Sequence, residues 1–438
     1  MKLKYCLLII MILALSITAC SKEKSQEPIK LRIATKMTEV FEKEYGIPFK
    51  EENPGIQLEY VTFPGYGWNK EEIHSWLQEN EPDFLYVSKL QYDDFVEADI
   101  ILPLDGRVSK ENFDLSRYPD SLIDMLTLED RLYGIPIEYS SLVLYYNKAI
   151  FDKSDVEYPL HGMPWDSLMS LAATIPKINE EGKEQYGFVD VITSSLEEAL
   201  FGMILDAGMS MNLQFADMTK GVGTTQSKAW HELWSTIIDG YQAGGVDFVP
   251  LIDDSDKPED LKLETQIERY RPFVDNQAAM IIAQPDLMTF LGNYEHLDWS
   301  IVAPPGDYQY FMQPLIASII KQSPHEDTVW KLIDYMSKDE TPLLLEATSK
   351  KWTSWGDIPS SISIAEKIWK RDLSAFYNHP VIPKGLIMYD HLPDNVFQAY
   401  REESLEQIEM ILGGEQNIEN ALAAIQTRVT EAILLSGE

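Results

Sequence analysis

Cysteine and histidine are scarce in this chain of 438 residues. It has two cysteines, Cys6 and Cys20, both near the start, and seven histidines. The body of the chain therefore has no cysteine for a disulfide or for a cysteine-ligated metal site. No HExxH or paired-histidine spacing occurs, and neither does a Gly-x-Ser-x-Gly nucleophile motif or a glycine-rich phosphate-binding motif. These absences favour binding over catalysis.

Basic residues are also in short supply. The chain has 36 lysines and arginines against 71 aspartates and glutamates, a formal charge of −35. A surface this acidic repels nucleic acid, so we expect no nucleic-acid partner. Hydrophobic residues make up 45% of the chain and aromatic residues 11%, which excludes low-complexity disorder and allows a sizeable core. The length predicts roughly three domains, or two large ones.

The first twenty residues have the pattern of an export signal. Two lysines precede an apolar run from Tyr5 to Leu15, and small residues lead to Cys20. The run is too short to span a membrane. Residues 17–20 resemble the bacterial lipobox, whose cysteine is lipidated and becomes the first residue of the mature protein; the alternative is an ordinary signal with a chance cysteine.

We therefore predict a lipoprotein signal peptide at residues 1–19, a polar tether at 20–28 and a lipid on Cys20. Removing the signal takes away 19 residues and two lysines, which leaves 419 residues with a formal charge of −37. No later stretch is long and apolar enough to span a bilayer. The expected location is the extracytoplasmic face of the cell membrane, with the body held there by the lipid anchor.

Strand and helix patterns alternate after the tether. Period-two or short apolar runs predict strands at 31–35, 56–61 and 84–87, and helical spacing predicts helices at 38–45 and 70–80, with Gly46 ending the first. This order is typical of a parallel α/β sheet. Later strands are expected at 142–146, 278–282 and 299–303. Later helices are expected at 166–175, 196–208, 227–240, 325–337, 364–371, 395–412 and 418–434.

Several short motifs occur in an order that is typical of one family. The most specific is Tyr133-Gly134-Ile135-Pro136 followed by Leu144-Tyr145-Tyr146-Asn147-Lys148-Ala149-Ile150-Phe151, which resembles a "YGLP…YYNKxLF" signature. Weaker matches lie at 49–58, 82–87, 102–105, 164–166, 275–280 and 415–429. Together they resemble the extracellular solute-binding proteins of the maltose-binding-protein type, which are lipid-anchored components of ABC importers.

The resemblance implies an α/β, two-lobed, periplasmic-binding-protein-like fold of type II. Lobe 1 would comprise residues 29–138 and 313–351, and lobe 2 residues 139–312 and 352–438. A small solute, expected to be a carbohydrate, would bind in the cleft between the lobes, and hinge closure would present it to the permease of an ABC transporter. The resemblance implies a monomer that is not an enzyme and needs no cofactor or metal.

Two other functions remain open at this point. A ligand-sensing subunit for a membrane receptor or sensor kinase would use the same cleft and the same closure. A surface glycoside hydrolase needs two carboxyl groups at a suitable separation, and 71 acidic residues could include such a pair. No pattern in the sequence selects that pair.

Tryptophans are candidates for stacking against a sugar. Trp68, Trp352 and Trp355 lie in predicted loops with no local core, so we assign them to the cleft. The other seven fall in helix or strand patterns and are expected to be structural: Trp76, Trp165, Trp230, Trp234, Trp299, Trp330 and Trp369.

Polar residues after the predicted strands complete the expected ligand site, because ligands of open α/β sheets gather beyond the carboxyl ends of strands. Tyr139 and Ser140 lie near the first expected crossing between lobes, where the family often places cleft residues. The residues at strand ends are Thr35, Lys36, Tyr66, Trp68, Ser88 and Lys89. For Tyr66 and Trp68 the alternative is packing on their own lobe, and for the two lysines it is a solvated surface.

One position departs from the family pattern. After the strand that begins at 278, the family commonly has Gly-x-Trp, whose indole often lines the cleft. This chain has Gln284-Pro285-Asp286 there. If residue 286 faces the cleft, the site loses a stacking surface and gains a hydrogen-bond acceptor, so Gln284 and Asp286 join the predicted ligand residues.

Overall fold

The computed structural model describes residues 28–61, 69–192, 195–250, 269–292, 294, 297–309, 312–338, 358–381 and 392–436. The strands, in chain order, are β1 Ile29–Ala34, β2 Ile56–Val61, β3 Phe84–Ser88, β4 Thr127–Leu128, β5 Arg131–Leu132, β6 Ile135–Ser141, β7 Val143–Asn147, β8 Tyr186–Ile192, β9 Ala216–Asp217, β10 Val222–Gly223, β11 Val246–Pro250, β12 Ala278–Ala283, β13 Trp299–Val302, β14 Met312–Ile319 and β15 Ile358–Pro359.

The helices are α1 Thr38–Phe41, α2 Ile47–Glu52, α3 Lys70–Asn80, α4 Lys89–Glu97, α5 Asp105–Glu111, α6 Asp120–Met125, α7 Lys148–Ser154, α8 Trp165–Thr174, α9 Leu196–Ser210, α10 Lys228–Gln242, α11 Arg271–Val274, α12 Asp286–Leu291, α13 Glu326–Met336, α14 Ile362–Trp369, α15 Ser374–Tyr377, α16 Asp394–Leu412 and α17 Ile418–Ser436. A π-helical turn, Glu42–Gly46, joins α1 to α2, and Leu115–Arg117 forms a 3₁₀ turn.

The first sheet has six strands in the order β15-β6-β14-β3-β1-β2. β1 is parallel to β2 and β3, and β14 is antiparallel to both β3 and β6, so β6 runs in the same direction as β3. The apolar residues Phe84, Leu85, Tyr86 and Val87 of β3 are all buried. A strand buried on both faces explains why this run is continuously apolar rather than alternating.

The second sheet has five strands in the order β11-β8-β12-β7-β13. β8 is parallel to β11 and β12, while β7 is antiparallel to β12 and β13. Helix α10 buries Trp230 and Trp234 on its apolar face, and the Ser227 side chain caps its start. The antiparallel pair α16 and α17 packs on the same core, where the rings of Phe215 and Tyr400 stack with centroids 4.0 Å apart.

The predicted α/β class is confirmed, and the predicted helices and strands agree with the structure to within a few residues, except for the first helix. The tryptophans that were predicted to be structural are also confirmed in that role. Six of them are buried, and Trp369 is half-buried against the core of the second sheet. Local periodicity identified these elements because most of them bury one face and expose the other.

The prediction that Gly46 ends the first helix is wrong. The helix passes through the π-helical turn and continues to Glu52, and Gly46 has an ordinary helical φ of −65°. A Cβ at this position would overlap the Glu42 carboxylate and the Tyr60 hydroxyl, which are hydrogen-bonded to each other. Glycine at this position leaves room for that hydrogen bond, and its conformational freedom is not used.

The chain passes between the two sheets at well-defined places. β6 ends at Ser141 and β7 begins at Val143, so Leu142 alone separates the two sheets at the first crossing. The second crossing runs from Val302 at the end of β13 to Met312 at the start of β14. β15 belongs to the first sheet, and the helix that follows it packs on the core of the second. The predicted limits of the lobes stay a prediction.

Candidate functional site

The crossings join the carboxyl edges of the two sheets. In the first sheet β1, β3 and β6 end at one edge, and in the second β8, β11, β12 and β13 do so. Ser141 pairs with Met312 at the first edge, and Val143 pairs with Ala283 at the second. With only Leu142 between them, the two edges meet at the crossing. The region between these edges is the candidate ligand site, as expected for open α/β sheets.

Four predicted residues lie at the edge of the first sheet. Thr35 directly follows β1, and its buried hydroxyl accepts a hydrogen bond from the Met37 backbone N–H at 3.1 Å. Lys36, next in the chain, is exposed. Ser88 caps α4 through Gln91, and Lys89 forms an ion pair with Asp93. The structure therefore brings Thr35, Lys36, Ser88 and Lys89 to one edge, with local bonds that orient three of them.

Tyr139 and Ser140 lie on β6 near its carboxyl end and differ in bonding. The fully buried Tyr139 donates a hydrogen bond to the Phe376 carbonyl at 2.9 Å, and its ring centroid is 5.3 Å from that of Tyr377. Burial raises the pKa of Tyr139 well above its usual value. Ser140 is 4% exposed, and its hydroxyl has no hydrogen-bond partner among the described residues. Ser140 thus keeps a polar group that a ligand could satisfy.

A buried carboxylate on β6 escaped sequence reasoning. Glu138 accepts a hydrogen bond from Tyr45, in the π-helical turn, and another from Tyr86 on β3 at 3.3 Å. Burial and the charge of Glu138 raise the pKa of Tyr45 well above its usual value. The only sequence signal was an acidic residue inside an apolar strand, since such a residue needs partners. These hydrogen bonds hold the helix that begins shortly after Thr35 against the first sheet.

Gln284 and Asp286 follow β12 at the edge of the second sheet. Gln284 is half-buried, and its backbone carbonyl accepts a hydrogen bond from the Tyr145 hydroxyl at 3.0 Å. Asp286 is 8% exposed and begins α12. Its carboxylate accepts from the Tyr270 hydroxyl at 2.8 and 2.9 Å and from the Leu287 backbone N–H at 2.8 Å, and it pairs with Arg269. Most of its acceptor capacity is used within its own lobe.

Arg269 was not a predicted site residue. Its guanidinium lies 4.4 Å from the ring centroid of Tyr270, and its side chain is 30% exposed. Its Nε atom is buried and has no partner among the described residues. Burial raises the pKa of Asp286, although the charge of Arg269 opposes this shift. No sequence pattern links Arg269 to Asp286, because they lie 17 residues apart, one in the turn before α11 and the other at the start of α12.

Five predicted residues lie outside the described part of the chain: Cys20, Tyr66, Trp68, Trp352 and Trp355. The proposed lipidation and the aromatic part of the ligand site therefore stay predictions. The described polar residues alone outline the two facing edges.

A groove of about 550 Å³ lies at the opposite, amino edge of the first sheet. Its charged groups pair with one another: Lys30 with Glu59 at 2.8 Å, and Arg32 with Glu81 at 2.9 Å. Asp83 accepts hydrogen bonds from the Arg32 backbone N–H and from Ser323. Because these charged groups already have partners and the groove lies away from the crossings, we do not assign the ligand to it.

Within the described ranges, no three His, Cys, Asp or Glu side chains are grouped closely enough to hold a metal ion. In the same ranges, no helix is long and apolar enough to cross a membrane.

Residues 31–341 match the sequence profile of the family described as "Bacterial extracellular solute-binding protein". This match covers well over half of the chain. The chain belongs to this family. The predicted family is thereby confirmed, and the family is one of binding proteins that act outside the cytoplasm.

Curated relatives agree with this assignment. Proteins of Brucella abortus and Brucella suis that are named as candidate binding proteins are 26% identical over 227 residues, which cover 51% of this chain and 53% of theirs. The chain thus spans about half the length of the curated relatives it matches.

Solved structures share the fold over nearly the whole chain. The sugar-binding protein MalE of Xanthomonas citri is 18% identical with a TM-score of 0.62, covering 93% of this chain and 98% of that one. The GacH receptor of Streptomyces glaucescens, solved unliganded and with acarbose, is 18% identical with a TM-score of 0.55, covering 93% and 99%. An ABC substrate-binding protein of Listeria monocytogenes in complex with cycloalternan is 16% identical with a TM-score of 0.54, covering 92% and 98%. The predicted two-lobed fold is confirmed.

Proposed function

We propose that this solute-binding protein captures a carbohydrate between its two lobes and delivers it to the permease of an ABC importer. The observation that carries the proposal is the meeting of the two carboxyl edges at the first crossing, with Ser141 on one sheet and Val143 on the other. Polar residues lie at both of these edges, among them Thr35 and Ser88 on the first sheet and Gln284 on the second. The similar folds that bind acarbose and cycloalternan support a sugar as the ligand.

The proposed ligand site has two kinds of residue. Thr35, Lys36, Ser88, Lys89, Tyr139, Ser140, Gln284 and Asp286 would supply or support hydrogen bonds, and Tyr66, Trp68, Trp352 and Trp355 would supply flat aromatic faces. Among the described members, Ser140 is the first candidate for a direct contact, because its hydroxyl has no hydrogen-bond partner among the described residues. Asp286 would act mainly through Arg269 and Tyr270, since they already engage its carboxylate.

A ligand screen tests the proposed function. Thermal-shift and calorimetric titrations would compare neutral oligosaccharides, amino-sugars and acidic sugars with peptides and polyamines. A sugar at a hundred times its dissociation constant should stabilise the protein by about 2.7 kcal/mol. Binding of a peptide or polyamine, with no response to any sugar, would overturn the carbohydrate assignment.

A second screen locates the site. We expect Ser140→Ala to weaken binding of the best sugar by about 1 kcal/mol, which is the usual net value of one hydrogen bond. Ser318→Ala is a matched control, because Ser318 also has a buried hydroxyl without a described partner but lies on β14 toward the other end of the first sheet. Equal effects of the two changes would argue against a ligand contact at Ser140.

The proposal includes a lipid anchor on Cys20 at the extracytoplasmic face of the membrane. Cells grown with an alkyne-labelled fatty acid should incorporate the label into the parent protein and into a Cys6→Ala variant, but not into Cys20→Ala. Label on Cys20→Ala, or none on the parent, would refute lipidation at Cys20.

A further inference from the structure

The second crossing contains a buried glutamine with an unusual set of partners. Gln309 is 2% exposed and lies between β13 and β14. Its side-chain Nε2 donates to the Ser141 hydroxyl at 2.6 Å and to the Leu142 carbonyl at 2.9 Å. Its backbone N–H donates to the Pro380 carbonyl at 2.6 Å, and it forms a parallel bridge with Val381. One residue thus contacts the first crossing and the segment that follows α15.

The orientation of this amide is determined by its surroundings. The Leu142 carbonyl can only accept, so the nitrogen of the Gln309 amide must face it. The Oε1 atom then points to a buried position with no hydrogen-bond partner among the described residues. Burying this oxygen without a partner costs free energy. The two hydrogen bonds that the Nε2 atom donates offset that cost and hold the side chain in place.

The residues before Gln309 are attached to the second lobe. The Gly306 N–H donates to the Met163 carbonyl at 3.1 Å. The N–H groups of Asp307 and Tyr308 both donate to the carbonyl of Ser210, at the end of α9, at 3.0 and 2.9 Å. Gly306 has a φ of +104°, and a Cβ there would overlap Ser210, so glycine is required for this contact. The crossing is therefore held to the second lobe up to the residue before Gln309.

The Gln309 side chain extends from this anchored segment to the end of the first sheet. Ser141 is the last residue of β6 and pairs with Met312 of β14, and Leu142 is the single residue between β6 and β7. Hinge motion requires backbone rotation in the few residues of the crossings. A side chain that bonds to both Ser141 and Leu142 restricts that rotation.

We propose that Gln309 is a positioning residue that couples the first and second crossings and so sets the equilibrium between open and closed arrangements of the lobes. This inference rests on the proposed function only in assuming that the lobes close on a ligand. Loosening the coupling changes the fraction of molecules in the binding-competent state, and the apparent affinity changes with that fraction. Gln309 itself need not touch the ligand.

The test measures the distance between the lobes by double electron–electron resonance without added ligand. Spin labels would be attached at Lys110→Cys on the first lobe and Lys228→Cys on the second, in a chain with Cys6→Ser and Cys20→Ser. Both lysine side chains are well exposed, at 67% and 87%. In Gln309→Ala we expect a shifted mean distance and a broader distribution than in the parent. Gln309→Glu keeps the side-chain volume but removes both donors, and it should behave in the same way.

Gln407→Ala is the matched control. Gln407 is also buried, donates one side-chain hydrogen bond and has an unpaired Oε1, but its partner Glu403 lies on the same helix, α16. It should lower the melting temperature and leave the distance distribution as in the parent. Identical distributions for Gln309→Ala, Gln309→Glu and Gln407→Ala would overturn the inference. Because no ligand is present, failure of the carbohydrate assignment would leave this result unaffected.

Discussion

Asp286 stands where the family commonly has a tryptophan. Replacing it tests whether this residue supports the structure or binds the ligand. Its carboxylate is buried and receives hydrogen bonds from Tyr270 and from the Leu287 backbone, together with the ion pair from Arg269. These partners all belong to the second lobe. We therefore expect Asp286→Ala to destabilise that lobe before any effect on ligand contact is considered.

The size of the effect follows from the exposure of the two charges. Removing one member of a buried ion pair costs about 3–5 kcal/mol, because the remaining charge is left without a partner. The Arg269 side chain is 30% exposed, so water can partly replace the lost carboxylate. We expect a loss near the lower limit, about 3 kcal/mol for Asp286→Ala. Asp286→Asn keeps one acceptor oxygen and should lose about 2 kcal/mol, since the charge of Arg269 is still unopposed.

Urea unfolding at pH 7, followed by tryptophan fluorescence, measures this loss, because the buried Trp230 and Trp234 report on the second lobe. Glu198→Ala is the control. It breaks another pair in that lobe, with Arg401, whose side chains are 23% and 36% exposed, and should cost about 1 kcal/mol or less. A loss below about 1 kcal/mol for Asp286→Ala, together with weakened sugar binding, would refute the structural reasoning and favour a direct ligand contact.

Two further predictions concern stability. Burial and the charge of Asp190 raise the pKa of Asp206 to about 8; the folded protein therefore binds more protons than the unfolded chain between about pH 4 and 8, and its stability falls as pH rises through that window. Asp206→Asn should remove this dependence, which is at most about 1.4 kcal/mol per pH unit. Urea unfolding at several pH values from 5 to 8 gives the free energy of unfolding of both proteins. The same change of that free energy with pH in variant and parent would contradict the prediction. Gly46→Ala should cost about 1 kcal/mol, because the added methyl group forces the Glu42 and Tyr60 side-chain ends apart and breaks their hydrogen bond. Gly55→Ala is its control, since a Cβ there has no neighbour within 4 Å, and equal melting temperatures for the two variants would be the contrary result.

Local patterns predicted the elements of the fold well. The alternation of β1 and the helical spacing of α10 are properties of neighbouring residues, and each element buries the face that the pattern indicates. Gly46 was misjudged because a glycine at the end of an apolar pattern usually terminates a helix. Here the chain continues as a helix, and the space beside Gly46 is occupied by the hydrogen-bonded ends of Glu42 and Tyr60, the latter on β2.

The candidate site could be predicted only as a set of strand ends. The carboxyl-edge rule placed Thr35 and Ser88 at one edge, and the family resemblance placed Ser140 at the first crossing; the register of the sheet agrees with both placements. Glu138 and Gln309 were missed because their partners lie far away in sequence, 93 residues for Tyr45 and 168 for Ser141. No periodicity connects residues at such separations.

The amino-acid sequence alone was enough to identify the α/β class, the family and an expected anchor at Cys20, because these depend on short patterns and on their order along the chain. Tertiary structure decided which polar groups of the predicted site already have partners. The carboxylate of Asp286 is engaged by Arg269 and Tyr270, whereas the hydroxyl of Ser140 is buried and unpaired among the described residues. The physical reason is that hydrogen-bond satisfaction depends on neighbours in space, and folding brings those neighbours from distant parts of the chain.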